Sequence, residues 1–168
     1  LQVLNINGNN ISNVGIIALS DALKINSTLQ VLDISDNNIS NVGIIALSDA
    51  LKINSNLIEL RIHNNDLNVD CINILSEAIK NNNCLQELYL DGNNLGDDGA
   101  IAIAEALKTN NCLKFLSIKW NNIGEAGIVA IAKALEINTS LEHLDIHDNN
   151  SGNNCKNKSR GAIALGNA

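Results

Sequence analysis

Two imidazoles and two carboxylates crowd one short stretch, His143-Leu144-Asp145-Ile146-His147-Asp148. Residues of these types hold metals or pass protons. On a strand, however, His143 and His147 stand four residues apart, about 13 Å along the chain, and one metal ion cannot take both. His63 and Asp91 lie 28 residues apart and are expected to meet as an ion pair rather than as a catalytic dyad. The four cysteines, Cys71, Cys84, Cys112 and Cys155, are too few and too scattered for a disulfide framework, and none shows the C-x-x-C spacing of a zinc site. No serine or cysteine nucleophile falls into sequence order with a histidine and a carboxylate. The chemistry-bearing side chains therefore predict no enzyme, no metal and no cofactor.

What must position these residues is legible from spacing. Leucines recur every 28 residues at Leu1, Leu29, Leu57, Leu85, Leu113 and Leu141. A second series follows at Leu4, Leu32, Leu60, Leu88, Leu116 and Leu144, and a third at Ile6, Ile34, Ile62, Leu90, Ile118 and Ile146. An unbroken asparagine series closes the motif at Asn9, Asn37, Asn65, Asn93, Asn121 and Asn149. The unit is L-x-x-L-x-[IL]-x-x-N-x-[IL], and its last copy has Ser151 at the final apolar place. The second half of each unit changes period. Gly15, Ala18, Leu19, Ala22 and Leu23, repeated as Gly99, Ala102, Ile103, Ala106 and Leu107, form a helical stripe. Each unit thus reads as strand, turn, helix and return loop, and stacked units supply one another's core.

This pattern resembles the leucine-rich repeat family, specifically its ribonuclease-inhibitor-like class. The 28-residue form, with Gly before A-x-x-L and a trailing Asn, looks most like the repeats of NOD-like receptors. The resemblance covers residues 1 to about 150 and implies an α/β fold. That fold is a right-handed β-α solenoid, a horseshoe arc with a parallel sheet on the concave side and helices on the convex side. Strands stack about 4.8 Å apart and helices about 8–10 Å apart, so the sheet side must curve inward. The whole chain, 1–168, is expected to be one such domain, with units starting at 1, 29, 57, 85, 113 and 141.

The sixth unit breaks step. An insert over Ser151–Arg160, with Cys155, Lys156, Lys158 and Arg160, delays the helical run that resumes at Gly161 and stops at Ala168. There is no Met, and neither end carries a polar cap. The chain is therefore expected to be a piece of a longer protein, with uncapped ends available for end-to-end self-association.

Composition narrows the partners. The chain has 168 residues, 45% of them hydrophobic and 17% charged, which is enough for a core. Its net charge of −7 disfavours binding to a nucleic-acid backbone. No apolar run is long enough to span a membrane, and no signal peptide is seen. The asparagine column is expected to be structural, each amide satisfying backbone groups where the strand turns away. Acid and base alternate on the outer helices as Asp21–Lys24, Asp49–Lys52, Glu77–Lys80 and Glu105–Lys108, an arrangement worth a few tenths of a kcal/mol per pair. Cys84 and Cys112 share one slot, 28 residues apart, and should be neighbours, bonded or not.

If the three apolar series point inward, places 3, 5 and 7 of each unit point to the concave side, with place 8 on its rim. These 24 of the 168 positions hold all three aromatics, Tyr89, Phe115 and Trp120, and all three histidines. Random placement would put about one of those six residues there. The same positions hold Asp33, Asp36, Glu59, Glu87, Asp91, Asp145 and Asp148 but only Arg61 and Lys119 as bases. Units one and two agree at 24 of 28 positions, and three of their four differences, at 5/33, 7/35 and 8/36, fall on this face.

The functional expectation is a non-enzymatic module that binds a protein partner with a basic surface. Its contact residues are Glu59, Arg61, His63, Glu87, Tyr89, Asp91, Phe115, Lys119, Trp120, His143, Asp145 and His147. Tyr89, Phe115 and Trp120 are expected to form one aromatic patch. Two other readings come with the resemblance: a GTPase-activating regulator, since one family of such activators uses this repeat class, and a structural spacer. Thiols in buried slots point to the cytoplasm.

Overall fold

The computed structural model describes residues 1–149 apart from Asp66. The expected insert over Ser151–Arg160, with Cys155, and the run from Gly161 lie outside the described residues.

Among the described residues six short strands alternate with five helices. The strands are β1 (Val3–Asn5), β2 (Val31–Asp33), β3 (Glu59–Arg61), β4 (Glu87–Tyr89), β5 (Phe115–Ser117) and β6 (His143–Asp145). The helices are α1 (Asn13–Ile25), α2 (Asn41–Leu51), α3 (Val69–Asn81), α4 (Gly96–Leu107) and α5 (Glu125–Leu135). The strands form one parallel sheet in chain order, and the register steps by one unit each time: Leu4 faces Leu32, then Leu60, Leu88, Leu116 and Leu144. This is the β-α solenoid that the spacing predicts. Backbone pairing runs past the three-residue strands, as in Gln30 N–H to the Gln2 carbonyl at 2.8 Å and Asp36 N–H to that of His63 at 3.0 Å. Beneath the sheet the leucine columns are buried in units two to five and partly buried at Leu4, Ile6, Leu141, Leu144 and Ile146.

The helix stripe is turned slightly from its expected position. In α1 the buried residues are Ile16, Ser20 and Leu23, while Ala18 and Ala22 are exposed. In α2 the equivalent Ala46 is half-buried and Ala50 fully buried. These alanines therefore face the preceding helix, and the Ile16/Ile44 and Ser20/Ser48 places face the core. The Oγ atoms of Ser20, Ser48 and Ser76 are buried without a hydrogen-bond partner. Units four and five have Ala104 and Ala132 there.

Two columns of amides tie the units together. Asn37 Nδ2 donates to the carbonyls of Ile6, Ile34 and Ser35 at 3.0, 3.1 and 2.9 Å, while its Oδ1 accepts from Asn9 and Ile11 N–H at 3.1 and 2.9 Å. Asn65, Asn93, Asn121 and Asn149 lie in the same network, each Oδ1 accepting the N–H of the asparagine one unit earlier. A second column, Asn54, Asn82, Asn110 and Asn138, stands at the return loops. Asn110 Nδ2 donates to the carbonyls of Ile79 and Asn82 at 2.8 and 3.0 Å, and its Oδ1 accepts from Cys112 and Leu113 N–H at 2.9 and 2.8 Å.

Helix N-termini are also served from the neighbouring unit. Ser12 and Ser40 sit at cap positions but make no side-chain cap bond. Instead Asn13 Oδ1 accepts from Ser40 and Gly43 N–H at 3.2 and 3.1 Å. Gly127 lets α5 lie close against α4: a Cβ there would come within 2.8 Å of Ala100 Cβ and 2.6 Å of Ile123 Cγ2. On the outer surface the four acid–base pairs form, at 2.8 Å for Asp21–Lys24 and 3.6 Å for Glu77–Lys80. Among the described residues no helix is long and apolar enough to cross a membrane.

Candidate functional site

Alternation along each strand turns the middle leucine inward and its two neighbours toward the concave side. In β3 and β4 the outward residues Glu59, Arg61, Glu87 and Tyr89 are all half-buried around fully buried leucines. On the same face Asp33, Ser35, Asp91 and Ser117 are buried.

Flat side chains line up across four strands. Arg61 CZ lies 5.2 Å from the Tyr89 ring centre. The Tyr89 and Phe115 rings stand 4.9 Å apart, tilted by 32°, and the Phe115 and His143 rings 4.8 Å apart and nearly parallel at 4°. Arg61 faces Tyr89 and Phe115 faces His143 in the parallel register, while the middle step from Tyr89 to Phe115 is diagonal, since Tyr89 stands opposite Ser117 and Phe115 opposite Glu87. Trp120 does not join it. Its ring meets His147 edge-on at 5.8 Å and Lys119 Nζ at 5.6 Å. The expected single aromatic patch is therefore two: a stacked row on the sheet and a separate tryptophan on the rim.

Trp120 is 57% exposed and has φ +52°. The same place in the other units holds Gly8, Asp36, Asn64, Gly92 and Asp148, all with positive φ between 51° and 65°. Glycine, asparagine and aspartate adopt this conformation readily, and a tryptophan does so at a cost.

Three acids of the face, Glu59, Asp91 and Asp145, have a cationic partner on it. Lys119 Nζ lies 3.7 Å from Asp91 Oδ2 and 3.5 Å from Asp145 Oδ2, bridging two units. Asp91 also accepts from the Ser117 hydroxyl and from Lys119 N–H. Burial works against the charge on Asp145, but hydrogen bonds from the His147 ring and backbone, with the charge of Lys119, hold its carboxyl below the ordinary value. Glu59 pairs with Arg61 Nε. Glu87 accepts the Tyr89 hydroxyl at 3.0 Å, and burial first, then this bond, push the phenol up to about 12.

His63 does not meet Asp91. It turns to the preceding unit, its Nδ1 2.9 Å from Ser35 Oγ and its Nε2 3.7 Å from Asp36 Oδ2. The sequence reading found no serine aligned with a histidine and a carboxylate, yet here the three converge. The 28-residue step from Ser35 to His63 was the available signal. The arrangement is not that of a working nucleophile. Ser35 is fully buried, and the His63–Asp36 separation exceeds a hydrogen bond. At the other end His147 Nδ1 lies 2.6 Å from Asp145 and its Nε2 3.4 Å from Asp148, while His143 stacks on Phe115 instead.

Cys71, Cys84 and Cys112 are free thiols. Burial raises the thiols of Cys71 and Cys84 above their ordinary value. Among the described residues no group of three or more His, Cys, Asp or Glu is placed to hold a metal ion.

A family model described as Leucine Rich repeat matches residues 1–20, 26–48, 81–104 and 109–132. A search of curated proteins finds no match. Solved structures with the same fold include leiomodin-1 actin-binding site 2, with a TM-score of 0.75 and 23% identity over 88% of this chain and 83% of that one. Another is the tropomodulin C-terminal domain of Caenorhabditis elegans, with a TM-score of 0.69 and 19% identity over 81% and 83%.

Proposed function

We propose, for a chain that belongs to the leucine-rich repeat family, that the concave face of its third to sixth units docks a protein partner and performs no catalysis. The stacked row from Arg61 through Tyr89 and Phe115 to His143 carries this reading. Burial of the leucine columns completes the core without these rings, and a spacer has no use for them. Aromatic and arginine side chains dominate binding energy at protein interfaces. Glu59, Glu87 and Asp91 flank the row, Asp145 and His147 lie beside Lys119, and His63 closes the near end. The formal excess of acid suits a partner with a basic surface. Buried Ser35 argues against hydrolysis.

Finer assignments belong to the same proposal. The helical convex layer favours the ribonuclease-inhibitor-like class, and the 28-residue unit favours repeats like those of NOD-like receptors. Free thiols favour a reducing compartment, hence the cytoplasm.

One structural neighbour is an actin-binding site of leiomodin-1, so purified actin is the first probe, followed by affinity capture with identification by mass spectrometry. Replacing Tyr89, Phe115 and Trp120 together by alanine should weaken capture by more than roughly tenfold while the circular-dichroism spectrum is kept. Association should slow as salt rises. Undiminished capture by the triple variant would remove the proposal.

A further inference from the structure

Cys84 and Cys112 occupy the last place of consecutive units, just ahead of β4 and β5. The backbone around them is tied on both sides. Two residues before, Asn110 Nδ2 donates to the Asn82 carbonyl at 3.0 Å. Two residues after, Lys114 N–H donates to the Gln86 carbonyl at 2.8 Å. Between these ties the two chains lead side by side into paired strands, for which a spacing of about 4.8 Å is expected. That separation lies inside the range of about 4.4–6.8 Å between the Cα atoms of disulfide-bonded cysteines. Both residues are half-buried and both thiols are free. Cys84 Sγ rests against the Asn54 carbonyl at 3.3 Å, a contact that a χ1 rotation would release.

We propose that Cys84 and Cys112 form an oxidisable pair, closed by a two-electron peroxide oxidant into a disulfide that staples neighbouring repeats. One thiol, as its thiolate, attacks a peroxide oxygen. The O–O bond breaks, a sulfenic acid forms, and the departing hydroxide takes up the thiol's proton to leave as water. The second thiol displaces the sulfenic oxygen, the S–S bond forms, and a second water carries that oxygen away with the remaining proton. Each sulfur is oxidised by one electron, and the peroxide oxygens accept the two. Thiol reductants return the pair to the open state. The raised Cys84 thiol makes the reaction slow at neutral pH and faster in mild alkali. The staple would fix the spacing of the loops that lead into the strands carrying Tyr89 and Phe115.

The test uses the whole chain and hydrogen peroxide, with free thiols then blocked and the protein digested with trypsin without reductant. Cleavage after Lys80, Lys108 and Lys114 places Cys84 on peptide 81–108 and Cys112 on peptide 109–114. The expected product is those two peptides joined, short of two hydrogens, as the predominant cross-link and lost on treatment with dithiothreitol. Cys84→Ser should abolish it while leaving the fold intact, because Ser140 already occupies the equivalent slot and bonds the Asn110 carbonyl at 3.3 Å. Separate sulfinic acids on the two peptides, or a cross-link to Cys71 or Cys155 in preference, would overturn the proposal.

Discussion

Asp97 reaches Gly127 across a unit boundary: its Oδ1 accepts the Gly127 amide at 2.8 Å, and the Gly124 amide at the same distance. A carboxylate from the start of α4 thereby caps α5, where negative charge is favoured. Asp97→Ala should destabilise the protein by about 1–2 kcal/mol, and Asp97→Asn by appreciably less, since an amide oxygen can keep both bonds. Denaturant titration of the two variants checks the order. Equal losses would assign the stabilisation to the carboxylate charge, and no loss in either variant would show that the cap bonds contribute nothing.

The unpartnered hydroxyl of Ser48 should be dispensable. Ala104 and Ala132 stand in the same place two and three units on, and the Ser48 Oγ has no hydrogen bond to lose. Ser48→Ala removes a desolvated polar group and improves helix propensity, for a gain of about 0.5–1 kcal/mol. Thermal melting should shift upward. A downward shift would mean that the hydroxyl is satisfied in solution.

Trp120 carries backbone strain that other units avoid with Gly, Asn or Asp. Trp120→Asn should raise stability by about 0.5–1 kcal/mol and weaken partner capture at the same time. That opposition separates a residue kept for binding from one kept for packing, because a packing residue would lose stability when replaced. The readouts are melting temperature and capture on the same preparation.

Tyr89 is the only tyrosine in the chain, so its phenolate absorbance reports one site. Its ordinary value is 10.0, and burial with the Glu87 bond pushes it up to about 12. The folded state thus holds this proton more tightly than the unfolded state. The associated stability is complete below about pH 10 and is lost as pH rises toward 12. Glu87→Gln should move the folded titration downward by removing the nearby charge, while an unmoved midpoint would leave burial as the sole cause.

The 28-residue step made the strands, their parallel order and the buried leucines legible, because a strand's alternation and a helix's period leave few ways to hide those side chains. Spacing does not say which neighbour a side chain reaches for. His63 was expected beside Asp91 and lies beside Ser35 and Asp36 in the unit before. Trp120 was grouped with Tyr89 and Phe115, but its rim place has a positive φ, and its ring meets His147. The second amide column at Asn54, Asn82, Asn110 and Asn138 repeats as regularly as the first, but it lies in the return loops ahead of the leucine motif, where spacing does not tell a bonded amide from a solvated one. In the helices the apolar and small-residue spacing runs through the alanines, which serve the helix–helix contact, and passes over the buried Ile16 and Ser20.

The amide columns make each repeat the lock for the one before it, with bonds spanning 26 to 31 residues. No repeat is complete on its own, so loss of one amide in the middle should weaken the junction between two neighbours while the shared core and the strand pairing still hold them. Limited proteolysis in mild denaturant would then find its weakest seam at the junction where the asparagine is lost.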